Sequence, residues 1–426
     1  METLHKLHSG ELKGAKHIKI SANLTELPQA LYELADTLEI LDLSANRLSD
    51  LPEDFVLFRK LKIVFLSDNE FEHLPEVLGL CPDLEMIGFK ANRIREVSAN
   101  ALPPKLRWLI LTDNQIEQLP DCFDRLPRMQ KLMLAGNRLR ELPETLQNCR
   151  NLQLLRISAN NLTEFPQVIT RIPRLSWCAF SGNPFNRTVR EDSSLIQARL
   201  ADYQLRELLG QGASGRIHLA EEKASGQPKA IKLFKGGVTS DGYPQDEMRA
   251  CLTAGKHPNL VTVEARLETE SPGLVMQLIP EQYVNLGLPP DFDTCTRDCF
   301  EDGFSLDAHQ LLKILRQATS ALMHLHDQGL MHGDFYAHNV LFNEQTHLLL
   351  GDFGAASHFD DLEQETKNAL LRMEKRALAH FIEDLWQQAK VSAEEDALVK
   401  VWHDALLQDA ISLEDLLEQM ENALWD

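Results

Sequence analysis

Three oxygen-bearing side chains stand at short, fixed spacings late in this 426-residue sequence. Asp334 and Asn339 lie five apart in His332-Gly-Asp-Phe-Tyr-Ala-His-Asn339, and Asp352 follows in Gly351-Asp-Phe-Gly354. One carboxylate that can orient an acceptor hydroxyl and take its proton, beside an amide oxygen and a second carboxylate, suits phosphoryl transfer. Asp334 fits the first role. Asn339 and Asp352 fit a site for Mg²⁺, which takes few protein oxygens and completes its shell with phosphate and water. Short Asp/Asn spacings also arise by chance, so the reading depends on what must position these groups from upstream.

The upstream elements occur in a consistent order. Gly210, Gly212 and Gly215 punctuate Leu209-Gly-Gln-Gly-Ala-Ser-Gly-Arg-Ile217. Glycines let backbone amides approach phosphates closely, and strand-like sequence on both sides predicts a hairpin rather than a strand-to-helix turn. Lys232 ends the apolar run Ala230-Ile-Lys232, where a buried lysine needs a partner. Glu247, in a predicted helix ahead of His257-Pro-Asn-Leu-Val261, is the expected one. Leu274-Val-Met276 predicts a buried strand that leaves through Gln277-Leu-Ile-Pro280. Residues 281–304 are irregular and acidic, with Asp291, Asp293, Asp298, Glu301 and Asp302, and have no assigned role. Leu306 to Gln328 has the apolar spacing of an amphipathic helix that delivers the chain to His332.

Five motif elements in this order resemble eukaryotic-type protein kinases, over about residues 203 to 390. The resemblance implies ATP and Mg²⁺ as cofactors, with Lys232 on the α- and β-phosphates and Glu247 as its ion-pair partner. It also implies an adenine pocket in which Ile217, Ala230 and Leu341 sandwich the ring and Met276 lines the back. Backbone groups of Gln277 and Ile279 would bond the base. Departures are visible. Gly333 stands in place of the usual arginine, which argues against control by a phosphorylated activation loop. Tyr336 replaces a lysine near the γ-phosphate, a role His338 could take in part. No Ala-Pro-Glu follows, only Ala355 to Leu370 precede a helix predicted from Met373 to Trp386, and Glu374 is a candidate prop for the catalytic loop. His-Gly-Asp is also the form in small-molecule kinases similar to aminoglycoside and choline phosphotransferases, the main rival reading. A nucleotide-binding scaffold without activity is a third, opposed by the retention of Lys232, Glu247, Asp334, Asn339 and Asp352.

The first half repeats. Asparagines recur at 23, 46, 69, 92, 114, 137, 160 and 183, every 23 residues except for one step of 22. Each sits in a frame such as Leu38-x-x-Leu41-x-Leu43-x-x-Asn46-x-Leu48-x-x-Leu51-Pro52. These eight copies resemble leucine-rich repeats, which bury their leucines only against neighbouring copies. The resemblance implies a short parallel strand per copy, with each asparagine bonding backbone at the turn. Strand alternation puts Ile40, Ile63, Phe65, Met86, Trp108, Ile110, Met133, Leu154 and Trp177 on the concave face as an apolar stripe. A stripe of that kind implies a partner: a foreign protein acting as substrate or regulator, a second copy, or a piece of this same chain. Ser194 to Asp202 has helical spacing after a serine cap and predicts a helix closing the solenoid.

The expected architecture is therefore an α/β leucine-rich-repeat solenoid (1–185), a capping helix and linker (186–202) and an α+β bilobal protein-kinase-like domain (203–426). The second domain has a shortened activation segment and a minimal C-lobe. With the repeats, the whole chain resembles a soluble bacterial leucine-rich-repeat protein kinase, serine/threonine type. The net charge of −21 falls almost wholly after residue 200, which argues against nucleic acid. No apolar run reaches the roughly 20 residues of a membrane span, and the first ten residues show no secretory signal. Seven scattered cysteines favour a reducing, cytoplasmic setting.

Overall fold

The computed structural model describes residues 2–186, 197–212, 214–268 and 272–423. The chain divides into two compact units, Met1–Leu175 with Asn183–Phe185, and Ser176–Gly182 with Asn186–Asp426.

In the first unit, seven three-residue strands run from His17–Lys19 to Leu154–Arg156 and pair in parallel, in chain order and in register. Short 3₁₀ turns on the far side begin after Pro28, Pro52, Pro75, Pro143 and Pro166, whose fixed φ starts a turn and whose missing N–H loses nothing there. Leu38, Leu41, Leu43 and Leu48, with their equivalents, are buried between. The asparagines form a ladder. Asn114 Nδ2 donates to the carbonyls of Phe89 (2.9 Å) and Leu111 (3.0 Å), while its Oδ1 accepts the Ile94 N–H at 2.9 Å. A polar side chain at an inward position thus satisfies backbone groups of two successive turns.

The concave stripe is less bare than strand alternation suggests. Ile63, Met86 and Leu154 are buried, and Ile40, Phe65, Trp108, Ile110 and Met133 are half-buried. In-register pairing sets Ile40, Ile63, Met86, Trp108, Lys131 and Leu154 side by side in one row, so each covers its neighbour. The Phe65 ring fills the space over Gly88, where a Cβ would lie 2.6 Å from it. Trp108 Nε1–H donates to Met133 Sδ at 3.3 Å, and Lys131 Nζ sits 4.3 Å above the Trp108 ring. The ninth stripe residue, Trp177, is fully buried in the second unit.

In the second unit a six-stranded sheet runs in the order Tyr203–Gln211, Gly215–Glu222, Pro228–Phe234, Gly273–Gln277, Val263–Glu268, Gln197–Arg199. The predicted helix from Ser194 to Asp202 is not formed in its described part. Gln197–Arg199 is instead an edge strand parallel to Arg266–Glu268, because an open sheet edge offers backbone partners that a short amphipathic run cannot supply for itself. Residues 194–196 of that expected helix lie outside the described residues. Helix Pro244–Ala254 follows the third strand of the sheet order, with proline in its first turn.

The helical part comprises Ala308–Asp327, Gln364–Trp386, Ala393–Leu407 and Leu413–Asn422. Asp307 with Gln310 and Ser392 with Glu395 form reciprocal capping boxes. Ser412 caps the last helix by accepting the Asp415 N–H at 3.0 Å. The helix after Asp-Phe-Gly starts at Gln364, nine residues before the expected Met373, so the intervening segment is shorter still. Its first turn is polar and carries no apolar period to read. Among the described residues no helix is long and apolar enough to cross a membrane, and no disulfide links the cysteines.

Candidate active site

The glycine-rich hairpin forms as expected, antiparallel with Gly210 opposite Ile217. Gly212 N–H donates to Gly215 O at 3.0 Å. A Cβ at Gly210 or Gly212 would meet nothing within 4 Å, so the turn borders open space, whereas at Gly215 it would lie 2.6 Å from Leu233 O. Gly215 is therefore fixed by close strand approach, and Gly210 and Gly212 leave room for a ligand.

Lys232 forms an ion pair with Glu247, whose side chain is 3% exposed. Burial works against charge on both. At Lys232 the Glu247 carboxylate overcomes it and holds the ammonium above its ordinary value, while at Glu247 burial outweighs Lys232 and leaves the carboxyl raised. Ala230 lies opposite Met276 in the sheet and both are buried; Ile217, Leu341 and Ile279 are half-buried and Gln277 is exposed. Gln277 N–H donates to Thr262 O at 3.1 Å. Of that residue's backbone only the carbonyl is left for a base, which narrows the expectation.

Asn339 sits in the 3₁₀ turn Ala337–Asn339. Its Nδ2 donates to both the Asp334 carbonyl and Asp334 Oδ2, each at 2.9 Å. That orientation commits the amide nitrogen and leaves Oδ1 as an acceptor, as a cation ligand requires. Asp352 has φ +52°, an uncommon conformation for a side chain other than glycine, with its carboxylate exposed and accepting the Gly354 N–H at 3.2 Å. One amide oxygen and one exposed carboxylate fit Mg²⁺ chemistry.

A buried frame sets the loop. Asp334 N–H donates to His332 Nδ1 (3.3 Å), so His332 carries its proton on Nε2 and donates it to Gly351 O (2.9 Å). One imidazole thereby ties the Asp334 loop to the residue before Asp352. Glu374 accepts the Gly333 N–H (2.7 Å) and pairs with His326 (2.7 Å). Burial alone would raise the Glu374 carboxyl; the His326 hydrogen bond and charge more than reverse this and hold it below the ordinary range. Glu374 thus does prop the loop.

Asp298 has no signal in the sequence beyond membership of the acidic loop. Its oxygens accept the Ala337 N–H (2.5 Å) and bond His338 Nδ1 (2.6 Å). Burial works against charge on His338, but Asp298 outweighs it and raises the imidazole above its ordinary value, with Asp334 and Asp352 adding. Tyr336, at the position of the missing lysine, is buried with its ring 4.3 Å from that of Trp177.

The protein kinase domain family matches residues 203–374, and leucine rich repeat families match 82–139 and 37–57. Leucine-rich repeats and a protein kinase domain are therefore both present in this chain. The serine/threonine-protein kinase PSK2 of Saccharomyces cerevisiae is 25% identical over 168 residues, 38% of this chain and 15% of its own length. A probable serine/threonine-protein kinase of Encephalitozoon cuniculi is 28% identical over 38% of this chain and 28% of itself. The kinase cds1 of Schizosaccharomyces pombe is 28% identical over 41% and 37%. The chain spans well under half the length of these relatives. A solved leucine-rich-repeat protein of Leptospira interrogans aligns at 24% identity over 41% of this chain and 50% of its own, with a TM-score of 0.35.

Proposed function

We propose that this protein is an ATP- and Mg²⁺-dependent serine/threonine-protein kinase that acts in the cytoplasm and whose leucine-rich repeats hold a protein partner. The observation that carries the reading is the Asn339 amide, which bonds the Asp334 carboxylate and turns its oxygen outward, on one frame with Asp352 through His332. Asp334 receives the proton of the acceptor hydroxyl. Asn339 Oδ1 and Asp352 hold Mg²⁺, which supplies charge neutralisation at the phosphates. Lys232, fixed by Glu247, binds the α- and β-phosphates. The amides around Gly210, Gly212 and Gly215 cover them, while Ile217, Ala230, Met276 and Leu341 enclose the base against Gln277 O and Ile279 N–H. His338, whose imidazole Asp298 raises above its ordinary value, stands in part for the missing lysine. The serine/threonine preference follows the relatives.

Purified protein with labelled ATP and Mg²⁺, offered serine, threonine and tyrosine peptides beside aminoglycosides and choline, tests the reading. Label on serine or threonine supports it; label on the small molecules alone overturns it in favour of the rival phosphotransferase. On the repeats, the half-buried residues Ile40, Phe65, Trp108, Ile110 and Met133 are the contact candidates for a protein substrate, a regulator or a second copy. Sedimentation of the parent and Trp108→Ser separates self-association from capture of another protein.

A further inference from the structure

Residues Ser176–Gly182 lie outside the matched kinase domain, yet they belong to the second unit and touch both halves of its chemistry. Trp177 is 1% exposed. Its Nε1–H donates to Phe335 O at 3.1 Å, and its ring stacks on Tyr336 with centroids 4.3 Å apart and planes 10° apart. His380 stacks on it as well, at 5.3 Å. Phe335 and Tyr336 are the two residues directly after Asp334, so the indole grips the loop that spaces the base from Asn339. Three residues further along, Phe180 N–H donates to Ser357 Oγ (3.0 Å), and Ser181 Oγ–H donates to Ala356 O (2.8 Å). These acceptors lie just beyond Asp-Phe-Gly, where Ser357–His358 pairs with Leu330–Met331 ahead of the catalytic loop.

Gly333 links these contacts to the sequence. Its φ is +72°, and a Cβ there would lie 2.6 Å from Ala355 O and 2.7 Å from Cys178 O. The space that a side chain at this position would take is filled by the backbone of residue 178. The missing arginine and the gripping segment are thus two sides of one arrangement.

We propose that Ser176–Gly182 is a fixed part of the catalytic unit, with Trp177 as the positioning residue that holds the Asp334–Asn339 loop and the segment after Asp-Phe-Gly without phosphorylation. This rests on the kinase reading above. An indole that only filled a core would affect stability; one that sets the loop affects turnover at constant nucleotide affinity. A misplacement of about 1 Å at a reacting group lowers rate by roughly 100-fold, so a loss of that order is the expected scale.

The experiment compares the full-length parent with Trp177→Leu, Trp177→Phe and Ser181→Ala. It measures kcat, KM for ATP, nucleotide affinity, thermal unfolding, and hydrogen–deuterium exchange at residues 333–340 and 355–358. Trp177→Leu should lose kcat by roughly 100-fold, with nucleotide affinity within about twofold of the parent. Trp177→Phe keeps a stacking ring and should recover most of the rate, and Ser181→Ala should lose a smaller part. Exchange should accelerate in those two segments and stay unchanged in strand Pro228–Phe234. If Trp177→Leu does not fold, Trp177→Phe and Ser181→Ala carry the same readouts. Unchanged kcat with unchanged exchange in folded Trp177→Leu, or in Ser181→Ala where Trp177→Leu does not fold, overturns the proposal, as does equal loss of rate and nucleotide affinity. A parent that transfers no phosphate sinks the kinase reading instead, and exchange alone then decides whether residue 177 holds the loop.

Discussion

Removing the Lys232 ammonium should destabilise the second unit as well as silence it. Lys232→Met preserves length and apolar character but leaves Glu247, 3% exposed, facing no cation. Breaking a buried pair by deleting one partner costs about 3–5 kcal/mol, because the remaining charge is neither solvated nor compensated. At roughly 2–4 °C per kcal/mol for a unit of this size, the melting temperature should fall on the order of 10 °C. Glu247 would then avoid the penalty by binding a proton, so the loss should shrink as pH is lowered toward the carboxylate range. Lys232→Met with Glu247→Leu removes both charges and should recover most of the stability, while phosphotransfer stays absent because the phosphate contact is gone. Differential scanning calorimetry of parent, single and double variants, with a transfer assay on each, makes the comparison. A single variant as stable as the parent, or a double variant no better than the single, would refute the claim that this pair is buried and charged.

Three further outcomes follow from the same contacts. Asn114→Ala leaves buried backbone groups of Phe89, Leu111 and Ile94 without their partner, at about 1–3 kcal/mol each, and should lower the urea midpoint of the first unit. Glu374 has a depressed pKa in the folded chain; its stabilisation is present above the ordinary carboxylate value of about 4.3 and is lost as pH falls through the lower folded value. Glu374→Gln should be less stable at pH 7 and should flatten the acid side of the stability profile, read by fluorescence-monitored unfolding. Gly333→Ala meets two carbonyl oxygens and a positive φ, and should cut phosphotransfer with nucleotide affinity retained in equilibrium binding.

The Lys232–Glu247 pair was legible because a buried lysine constrains its surroundings locally. Lys232 in an apolar strand needed an acid, and Glu247 stood where a following helix could supply it. The repeats were legible because Asn46 and its successors recur at a period no other architecture explains. Trp177 is not an open contact residue for a physical reason: alternation along Trp177–Ala179 says which way a side chain points, not what covers it. The cover is Tyr336, brought by tertiary folding from 159 positions away. Asp298 escaped notice in the same way, since nothing in an irregular acidic loop marks the one carboxylate that turns inward to Ala337 and His338. Ile63, Met86 and Leu154 were read as available because the lateral spacing of parallel strands, which lets neighbours cover each other, leaves no trace in one copy of the repeat.

If Asp334, Asn339 and Asp352 form one phosphoryl-transfer site, as proposed above, phosphate transfer from labelled ATP with Mg²⁺ by the parent and by Asp334→Asn reveals it. The parent should incorporate phosphate into serine or threonine, and the variant should lose about two to four powers of ten in rate with nucleotide affinity nearly unchanged. Equal incorporation by both proteins would contradict that proposal.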